Sequence, residues 1–368
     1  MSELSRRVAV VGVGSSRFGN FPESDANGLA AEALRNALDD AGLRANEIDG
    51  LVVNRVPHYA RFGEMTGISP RWGAQFPAEG RMSGISIEAA VMAIACGMAS
   101  TVALVYGNNG RSRRVYYGGD PSFWAPWGMT SPGAQHALLW RKHMLRYGST
   151  TEQLGQIAVT FREHALLNPN AVMKRPISLE DHRNARYIAE PLGLFDYCLI
   201  NDGGVALILT SAERARDLRK PPVYIAGMAR ADDYRAASTC PDDFWFGAMQ
   251  QCAERVYAMA GLGREAVDVL QIYDNFTPTV VFSLEGFGFC AQGEGGRFVE
   301  NGRLRLSGAL PANTSGGHLS ESYMQGWGLN VEAVRQVRGE CGPRQVAGCN
   351  VAQFLCATPC SVSIIYTR

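Results

Sequence analysis

The order of secondary structure is set by RVAVVGV (7–13), NGLAAEALRNALDDA (27–41) and LVVN (51–54), and it is repeated by GISIEAAVMAIAC (84–96) and TVALVY (101–106). The short runs rich in valine and leucine are typical of buried strands. In residues 27–41 the apolar positions recur every three or four residues, which is typical of a helix that buries one face. Strand, helix and strand in this alternation predict a layered α/β fold.

The second half of the chain repeats this outline. Two strand-like runs, at 205–210 and 223–227, are separated by the pair Pro221-Pro222, which interrupts regular structure. A single core stops growing beyond roughly 250–300 residues. We therefore predict an N-terminal half at 1–220 and a C-terminal half at 221–368, with one cleft between them. The later elements are expected as a helix at about 247–260, a strand at 267–273, a helix at about 330–338 and a final strand at 361–366.

Residues 107–186 interrupt the alternation of strands and helices. They contain YYGGDPSFWAPWGM (116–129), followed by helical patterns at about 134–147 and 151–168. Aromatic residues among glycine and proline favour a loop beside a functional site over another layer. We therefore expect an inserted loop region here. Its tryptophans suit a large apolar ligand, although they also suit ordinary packing; they are Trp124, Trp127 and Trp140.

The charge balance limits the class of partner. The chain has 35 basic and 35 acidic side chains, a formal net charge of zero and a pI near 7.0. Binders of nucleic acids or of anionic membranes usually carry a positive field that this composition lacks. We expect no nucleic-acid partner, and we look instead for a small-molecule site.

Residues 89–106 carry no charge and approach the length of a membrane span. A helix that ends near Gly97, followed by a strand from Thr101, explains the same letters, so we predict no membrane segment. The nine cysteines show no regular spacing. That usage favours a reducing compartment, and we predict a cytoplasmic location.

No metal and no bound cofactor is predicted. The six histidines form no HExxH-like pattern, and no two cysteine pairs have the spacing of a zinc site. Gly12-x-Gly14 follows a strand but lacks the third glycine of a dinucleotide-binding turn.

The most informative motifs lie in the last hundred residues. They are YDNFTP (273–278), GFGFCAQGEGG (286–296) and NTSGGHLSESY (313–323). Glycine lets a backbone approach a ligand without a Cβ clash. The segment from Asn313 to Gly317 is therefore a candidate for holding an anionic oxygen through backbone N–H groups.

These blocks occur in order with IAEPLGLFDYCLINDGGVALILTSAERA (188–215) and VEAVRQVRGE (331–340). Together they resemble the thiolase superfamily in its lipid-transfer-protein, sterol-carrier type branch, and within it the acyl-CoA aldolases that cleave steroid side chains. The resemblance covers nearly the whole chain. It implies a duplicated thiolase fold with five layers, α/β/α/β/α.

One departure from the thiolase pattern concerns the nucleophile. Thiolases place a reactive cysteine at the N-terminus of the buried helix of the first half, where the helix dipole lowers its pKa. Here that position falls on Gly80 or Arg81, and neither can form a thioester. Cys96 is the nearest cysteine along the chain, roughly 20 Å away at the other end of the helix.

The other two catalytic positions are altered as well. Tyr273 stands where thiolases have an asparagine or histidine, and Tyr323 stands where they have the Gly-His-Pro histidine. In similar aldolases the two matching tyrosines are held to be catalytic, so the resemblance implies that one is the base and the other the acid or oxyanion donor. Supporting roles, including oxyanion binding, are expected for Asn275, Asn313, Gly316, Gly317 and His318.

Without a nucleophile, the chemistry that the resemblance implies is retro-aldol cleavage of a β-hydroxyacyl-CoA to a ketone and a shorter acyl-CoA. Coenzyme A would then be part of the substrate. A phenol has a pKa near 10, so a base of this kind needs a lowered pKa or a proton transfer concerted with bond cleavage.

Two alternatives remain open. A true thiolase could use a relocated cysteine, Cys356 or Cys360, in the turn before the last strand. A protein without catalytic activity could use the same fold as an acyl-CoA or lipid carrier, or as a scaffold subunit. The resemblance also implies a homodimeric core and a separate partner subunit with an OB-fold and a zinc ribbon.

Overall fold

The structure is a computed structural model that describes residues 3–77, 80–114, 125–233, 241–357 and 359–368. Its strands are β1 (Val8–Ser15), β2 (Gly50–Asn54), β3 (Trp72–Phe76), β4 (Thr101–Asn108), β5 (Tyr187–Ala189), β6 (Leu192–Gly193), β7 (Gly203–Ser211), β8 (Val223–Asp232), β9 (Val269–Ile272), β10 (Val351–Cys356) and β11 (Cys360–Thr367). Its α-helices are α1 (Ala26–Ala41), α2 (Tyr59–Thr66), α3 (Met82–Ala95), α4 (Pro132–Tyr147), α5 (Thr151–Leu166), α6 (Leu179–Arg183), α7 (Ala212–Ala215), α8 (Phe246–Ala260), α9 (Thr277–Gly286), α10 (Gly295–Phe298), α11 (Gly317–Ser320) and α12 (Trp327–Arg338).

Nine of the described strands form one hydrogen-bonded sheet in the order β3-β2-β4-β7-β1-β8-β11-β10-β9. The first five come from the first half of the chain and the last four from the second half. The two groups meet where β1 pairs with β8, through Ala9 with Tyr224 and Val10 with Val223. Because only these two residue pairs join the groups, each group of strands can pack against helices of its own. The division at 220 and 221 falls between β7 and β8 and remains a prediction.

The helices lie on both sides of the strands and between the two groups. Helix α1 packs on β1, β4 and β7, and α8 packs on β8 and β11. Helices α3 and α12 contact strands of both halves, and their apolar side chains belong to one buried cluster with side chains of both strand groups. The layers therefore run helix, sheet, helices, sheet, helix. This arrangement confirms the predicted α/β class and the five-layer thiolase fold.

Helix α1 shows how the sequence fixes one of these layers. The Asp25 side chain accepts the N–H of Gly28 and caps the helix, and Gly42 ends it in the left-handed conformation at φ 70°. Gly12 and Gly14 face this helix so closely that a Cβ on either would overlap its backbone. These glycines serve helix–strand packing, which accounts for the incomplete dinucleotide motif.

The uncharged stretch at 89–106 folds as predicted into the end of α3 and the start of β4, with Gly97 between them at φ 69°. In the described part of the chain, no helix is both long enough and apolar enough to cross a bilayer.

The expectation that Cys356 lies in a turn is wrong. Cys356 is the last residue of β10, and Cys360 is the first residue of β11. The pattern hid β10 because Gln353 interrupts its apolar run. That amide is fully buried, where it accepts from the Tyr257 hydroxyl at 2.8 Å and donates to Ser363 at 3.0 Å.

The inserted region contains α4, α5 and α6. Helix α5 packs against α11 and the segment around it, which carries the NTSGGHLSESY motif. Trp140 is buried in the core and Trp127 is exposed, whereas Trp124 lies outside the described residues. The region thus backs this glycine-containing loop, and its being an insertion beside a site remains a prediction.

Candidate active site

The hydroxyl groups of Tyr273 and Tyr323 form a hydrogen bond of 2.7 Å. Tyr273 directly follows β9, and Tyr323 lies three residues beyond α11. Both side chains are almost completely buried, at 3% and 7% exposure. The fold therefore brings the two sequence-predicted phenols into direct contact.

Tyr273 is held by its backbone neighbours. Its N–H donates to the Leu355 carbonyl at 2.8 Å, which extends the parallel pairing of β9 with β10. The Asn313 side chain accepts from the Ile272 N–H at 2.6 Å and donates to the Ile272 carbonyl at 2.8 Å. Both ends of the Asn313 amide are thus used to position Tyr273.

Tyr323 is held from the first half of the chain. Its N–H donates to the Asn201 side chain at 2.8 Å, and the Asn201 carbonyl accepts from the Asn108 side chain at 2.8 Å. Asn108 is the last residue of β4. Each phenol is therefore fixed by a different half, and the pair forms where the halves meet.

His318 lies against both phenols, with ring centroids 4.7 Å from Tyr273 and 5.0 Å from Tyr323. Its Nε2 accepts the N–H of Gly326 at 3.0 Å, which places the ring proton on Nδ1. Burial lowers the pKa of His318 to about 3. The imidazole is therefore neutral at physiological pH, and its Nε2 lone pair is already used.

Asp274 is a site residue that the sequence prediction missed. Its carboxyl group is fully buried and accepts the N–H groups of His318 at 2.8 Å and Leu319 at 3.3 Å. His318 Nδ1 lies 3.3 Å from the same carboxyl. Burial raises the pKa of Asp274 to about 8. Its position inside the YDNFTP motif was the available signal.

The glycine-rich loop that begins at Asn313 uses its N–H groups within the protein. The Gly316 N–H donates to the Asn313 carbonyl at 2.9 Å, and the Gly317 N–H donates to the Ser315 hydroxyl at 3.4 Å. The next two N–H groups, those of His318 and Leu319, bind Asp274. Gly317 adopts φ 60° and lies so close to Asp274 that a Cβ would overlap the carboxyl. The N–H groups of Gly316 and Gly317 therefore have partners within the loop, and an oxyanion-binding role for the segment from Asn313 to Gly317 remains a prediction.

Asn275 also has a structural partner. Its side-chain oxygen accepts from the Phe276 N–H at 3.1 Å and from the Thr279 hydroxyl at 2.8 Å, at the start of α9. That oxygen stabilises the helix end rather than contacting the phenols.

The loop is anchored on both sides. From the inserted region, Asn168 donates to the Ser315 carbonyl at 3.0 Å and to the Glu321 carboxylate at 2.8 Å. From α12, Glu332 accepts the Thr314 hydroxyl at 2.8 Å and forms a paired contact with Arg344. Charge-assisted and paired hydrogen bonds of this kind restrict the loop that carries His318 and Tyr323.

Gly80, one of the two residues predicted to stand at the position of the thiolase nucleophile, lies two residues before α3. A Cβ built on Gly80 would overlap Cζ and the hydroxyl oxygen of Tyr273. The Tyr273 ring therefore fills the space that a side chain at residue 80 would need. Cys96, at the far end of α3, is exposed and distant from the phenols.

The two candidate relocated cysteines are placed differently. Cys356 is fully buried in the cluster that contains both tyrosines. Cys360 lies opposite Asp232 of β8, and burial raises its pKa to about 12. A raised pKa opposes the thiolate that nucleophilic attack requires. Among the residues with described positions, no group of three or more His, Cys, Asp or Glu side chains is placed to hold a metal ion.

The raised pKa of Asp274 makes a prediction for stability. The folded protein keeps this proton up to about pH 8, whereas the unfolded chain releases it near the ordinary value of 3.8. Between these values the folded state binds more protons, so the contribution of Asp274 to stability falls as pH rises, on the order of 1 kcal/mol per pH unit. The variant Asp274→Asn lacks this dependence.

We expect the free energy of unfolding of the wild type, relative to that of Asp274→Asn, to decrease from pH 5 to pH 8 in denaturant titrations. Asp217→Asn, at an exposed position, is the matched control. A difference that is constant or grows with pH would contradict the buried, protonated state of Asp274.

Comparison with known proteins identifies the family. Residues 229–357 match the family model described as Thiolase C-terminal domain-like. The chain is 37% identical to a steroid side-chain-cleaving aldolase of Thermomonospora curvata, over 92% of each chain. It is 36% identical to a 17-hydroxy-3-oxo-4-pregnene-20-carboxyl-CoA lyase of Mycobacterium tuberculosis, over 91% of this chain and 92% of that one.

A solved structure of an Ltp2-ChsH2(DUF35) aldolase superimposes with a TM-score of 0.91 at 34% identity, over 100% of this chain and 99% of the other. The matches extend over both halves and include the segments that carry Tyr273 and Tyr323. The chain therefore belongs to the thiolase superfamily, in its branch of thiolase-like acyl-CoA aldolases.

Proposed function

We propose that the protein cleaves a β-hydroxyacyl-CoA by a retro-aldol reaction, giving a ketone or aldehyde and a shorter acyl-CoA. The observation that carries this proposal is the 2.7 Å contact between the hydroxyls of Tyr273 and Tyr323. Cleavage requires one proton to leave the β-hydroxyl and one to reach Cα. Two adjacent phenols are suited to both transfers.

The hydroxyls of Tyr273 and Tyr323 can carry every proton that the reaction moves. As the Cα–Cβ bond breaks and the bonding electrons pass into the thioester enolate, one phenol accepts the β-hydroxyl proton while it donates its own proton across the short hydrogen bond. The neighbouring phenol, in turn, donates its proton to Cα, so both phenols are protonated again at the end of the reaction. No free coenzyme A and no covalent acyl-enzyme is needed.

The electrostatics of the site favour a concerted transfer. Burial raises the pKa of Tyr273 well above its ordinary value, so this phenol is protonated at rest. A resting phenolate is therefore not the base, and proton transfer must accompany bond cleavage. The N-terminus of α3 lies beside Tyr273, where the partial positive charge of the helix stabilises negative charge that develops on the enolate or the phenol.

The substrate class follows from the relatives. Two of them are named for steroid side chains or a pregnene carboxyl-CoA. We propose a coenzyme A thioester that carries a hydroxylated steroid side chain or a comparably bulky group. Coenzyme A enters as part of the substrate, with no other cofactor.

The assembly is proposed on two observations. Strand β3 is an edge strand whose residues are alternately half-buried and exposed, and on its outer side it pairs with no strand of the described residues. An unpaired edge is a template for a second copy, which supports the homodimeric core. The similar solved structure is named as an aldolase with a second component, ChsH2(DUF35), which supports a separate OB-fold and zinc-ribbon subunit.

We also propose a cytoplasmic location, since none of the eight described cysteines forms a disulfide bond.

The test is cleavage of a β-hydroxyacyl-CoA with a bulky side chain, by the chain with and without such a partner subunit. We expect ketone and shorter acyl-CoA in equal amounts without added coenzyme A. Intact-mass measurement during turnover should show no acyl adduct. Dependence on free coenzyme A, or an adduct on Cys356 or Cys360, would instead support the thiolase alternative.

A further inference from the structure

An open cavity of about 680 Å³ lies between α5, the segment after it and α6. Three cationic side chains line it, together with one acidic side chain and an apolar wall. The cations are Arg162, Lys174 and Arg175, the acid is Asp181, and Ile177 and Phe195 belong to the wall. None of these residues takes part in the tyrosine site.

Arg162 is the deepest of the cations, at 5% exposure. Its Nε donates to the Ser320 hydroxyl at 2.9 Å and its Nη1 to the Arg175 carbonyl at 2.9 Å. Its guanidinium carbon lies 5.9 Å from the centre of the Phe195 ring. Burial lowers the pKa of Arg162, and no carboxylate of the described chain forms an ion pair with it. A buried charge without a counter-ion is costly, so this guanidinium favours an anion in the cavity.

The side chains at the rim of the cavity add to its positive charge. The Lys174 ammonium donates to the carbonyls of Asn168 and Pro169, each at 2.8 Å, and these groups are neutral. Arg175 is exposed at the mouth. The Asp181 carboxylate accepts the N–H and the hydroxyl of Ser178, each at 2.7 Å, and these hydrogen bonds lower its pKa. One ionised acid thus faces three cations.

We propose that this cavity binds an organic anion with an apolar body. A carboxylate or phosphate group would accept from Arg162, with Lys174 and Arg175 completing the charge at the rim. The apolar part would lie on Ile177 and Phe195. The same chemistry is offered by a free amphipathic acid and by the phosphates of coenzyme A.

The test uses calorimetric titration of the full chain, in its complex where a partner is required, with octanoate and octyl phosphate as probes. Octanol is the uncharged control. We expect saturable binding of one anion per chain and no comparable binding of octanol. Replacing both Lys174 and Arg175 by glutamine should weaken anion binding about tenfold or more, since each charge-assisted contact is worth about tenfold to a hundredfold.

Arg186→Gln, an exposed site outside the cavity, removes the same charge and should leave the affinity unchanged. Arg162→Gln should abolish binding where circular dichroism shows a native fold. If Arg162→Gln misfolds, the variant in which Lys174 and Arg175 at the rim are both replaced by glutamine is the deciding test. Displacement of octanoate by coenzyme A would assign the site to the substrate, and independent binding would assign it to a separate ligand. Equal affinity for octanol and octanoate, or an unaffected rim variant, overturns the proposal.

Discussion

Replacing Tyr323 by phenylalanine is expected to lower kcat by about 10²–10⁴-fold, the usual contribution of one positioned acid or base. Tyr273→Phe should have a similar effect, because each hydroxyl is the hydrogen-bond partner of the other at 2.7 Å. The measurement is steady-state cleavage of the β-hydroxyacyl-CoA, with ketone release followed directly.

Tyr257→Phe is the matched control. Its hydroxyl is also buried and bonded, to Gln353 at 2.8 Å, but it lies on α8 away from the phenol pair. This variant should lose stability and keep its turnover. Comparing the three variants separates the loss of a buried hydroxyl in general from the loss of these two.

The double variant, with phenylalanine at both positions, distinguishes two mechanisms. Groups that act as one unit are strongly non-additive, so its kcat should be close to that of the slower single variant. Losses that multiply would indicate two independent functions. Unchanged turnover in both single variants would favour a role of the fold as a scaffold or carrier.

The layered fold was predictable because its buried strands have continuous apolar runs. Strands β1 and β4 are typical, since every residue of β4 is buried. Strand β10 escaped prediction because a buried glutamine, satisfied by Tyr257 and Ser363, interrupts its pattern. Edge strand β3 was also missed, although its half-buried and exposed residues alternate. Periodicity detects one-sided or complete burial, and it does not detect polar groups that are satisfied inside.

The pair of phenols was predictable from motif order, whereas their surroundings were not. The Asp274 contact with the N–H groups of His318 and Leu319, and the overlap between residue 80 and the Tyr273 ring, depend on how the two halves pack. No local pattern contains that information.

The Gly80→Ala variant is expected to lower kcat by about 10²-fold or more, although the change is only one methyl group. Its Cβ would overlap Cζ and the hydroxyl of Tyr273, and ordinary carbon–carbon contacts are about 3.5–4.0 Å. The ring must therefore retreat by roughly 1 Å or more, and a displacement of about 1 Å can cost about 10² in rate. Gly328→Ala is the control, because its Cβ would meet Glu321 at an ordinary 3.6 Å. A Gly80→Ala enzyme with normal turnover would show that the Tyr273 ring does not need this position.

A cysteine at residue 80 extends the same argument to the lost nucleophile. In Gly80→Cys the displaced Tyr273 ring still crowds the thiol, so we expect no acyl adduct by intact mass after incubation with acyl-CoA. In the double variant Gly80→Cys, Tyr273→Ala the space is vacated, and the thiol lies at the N-terminus of α3, where the helix dipole lowers its pKa. That variant should become acylated while it loses aldol cleavage. Acylation of the single variant would mean that the aromatic ring and the sulfur can coexist, and that loss of the cysteine alone separates this enzyme from thiolases.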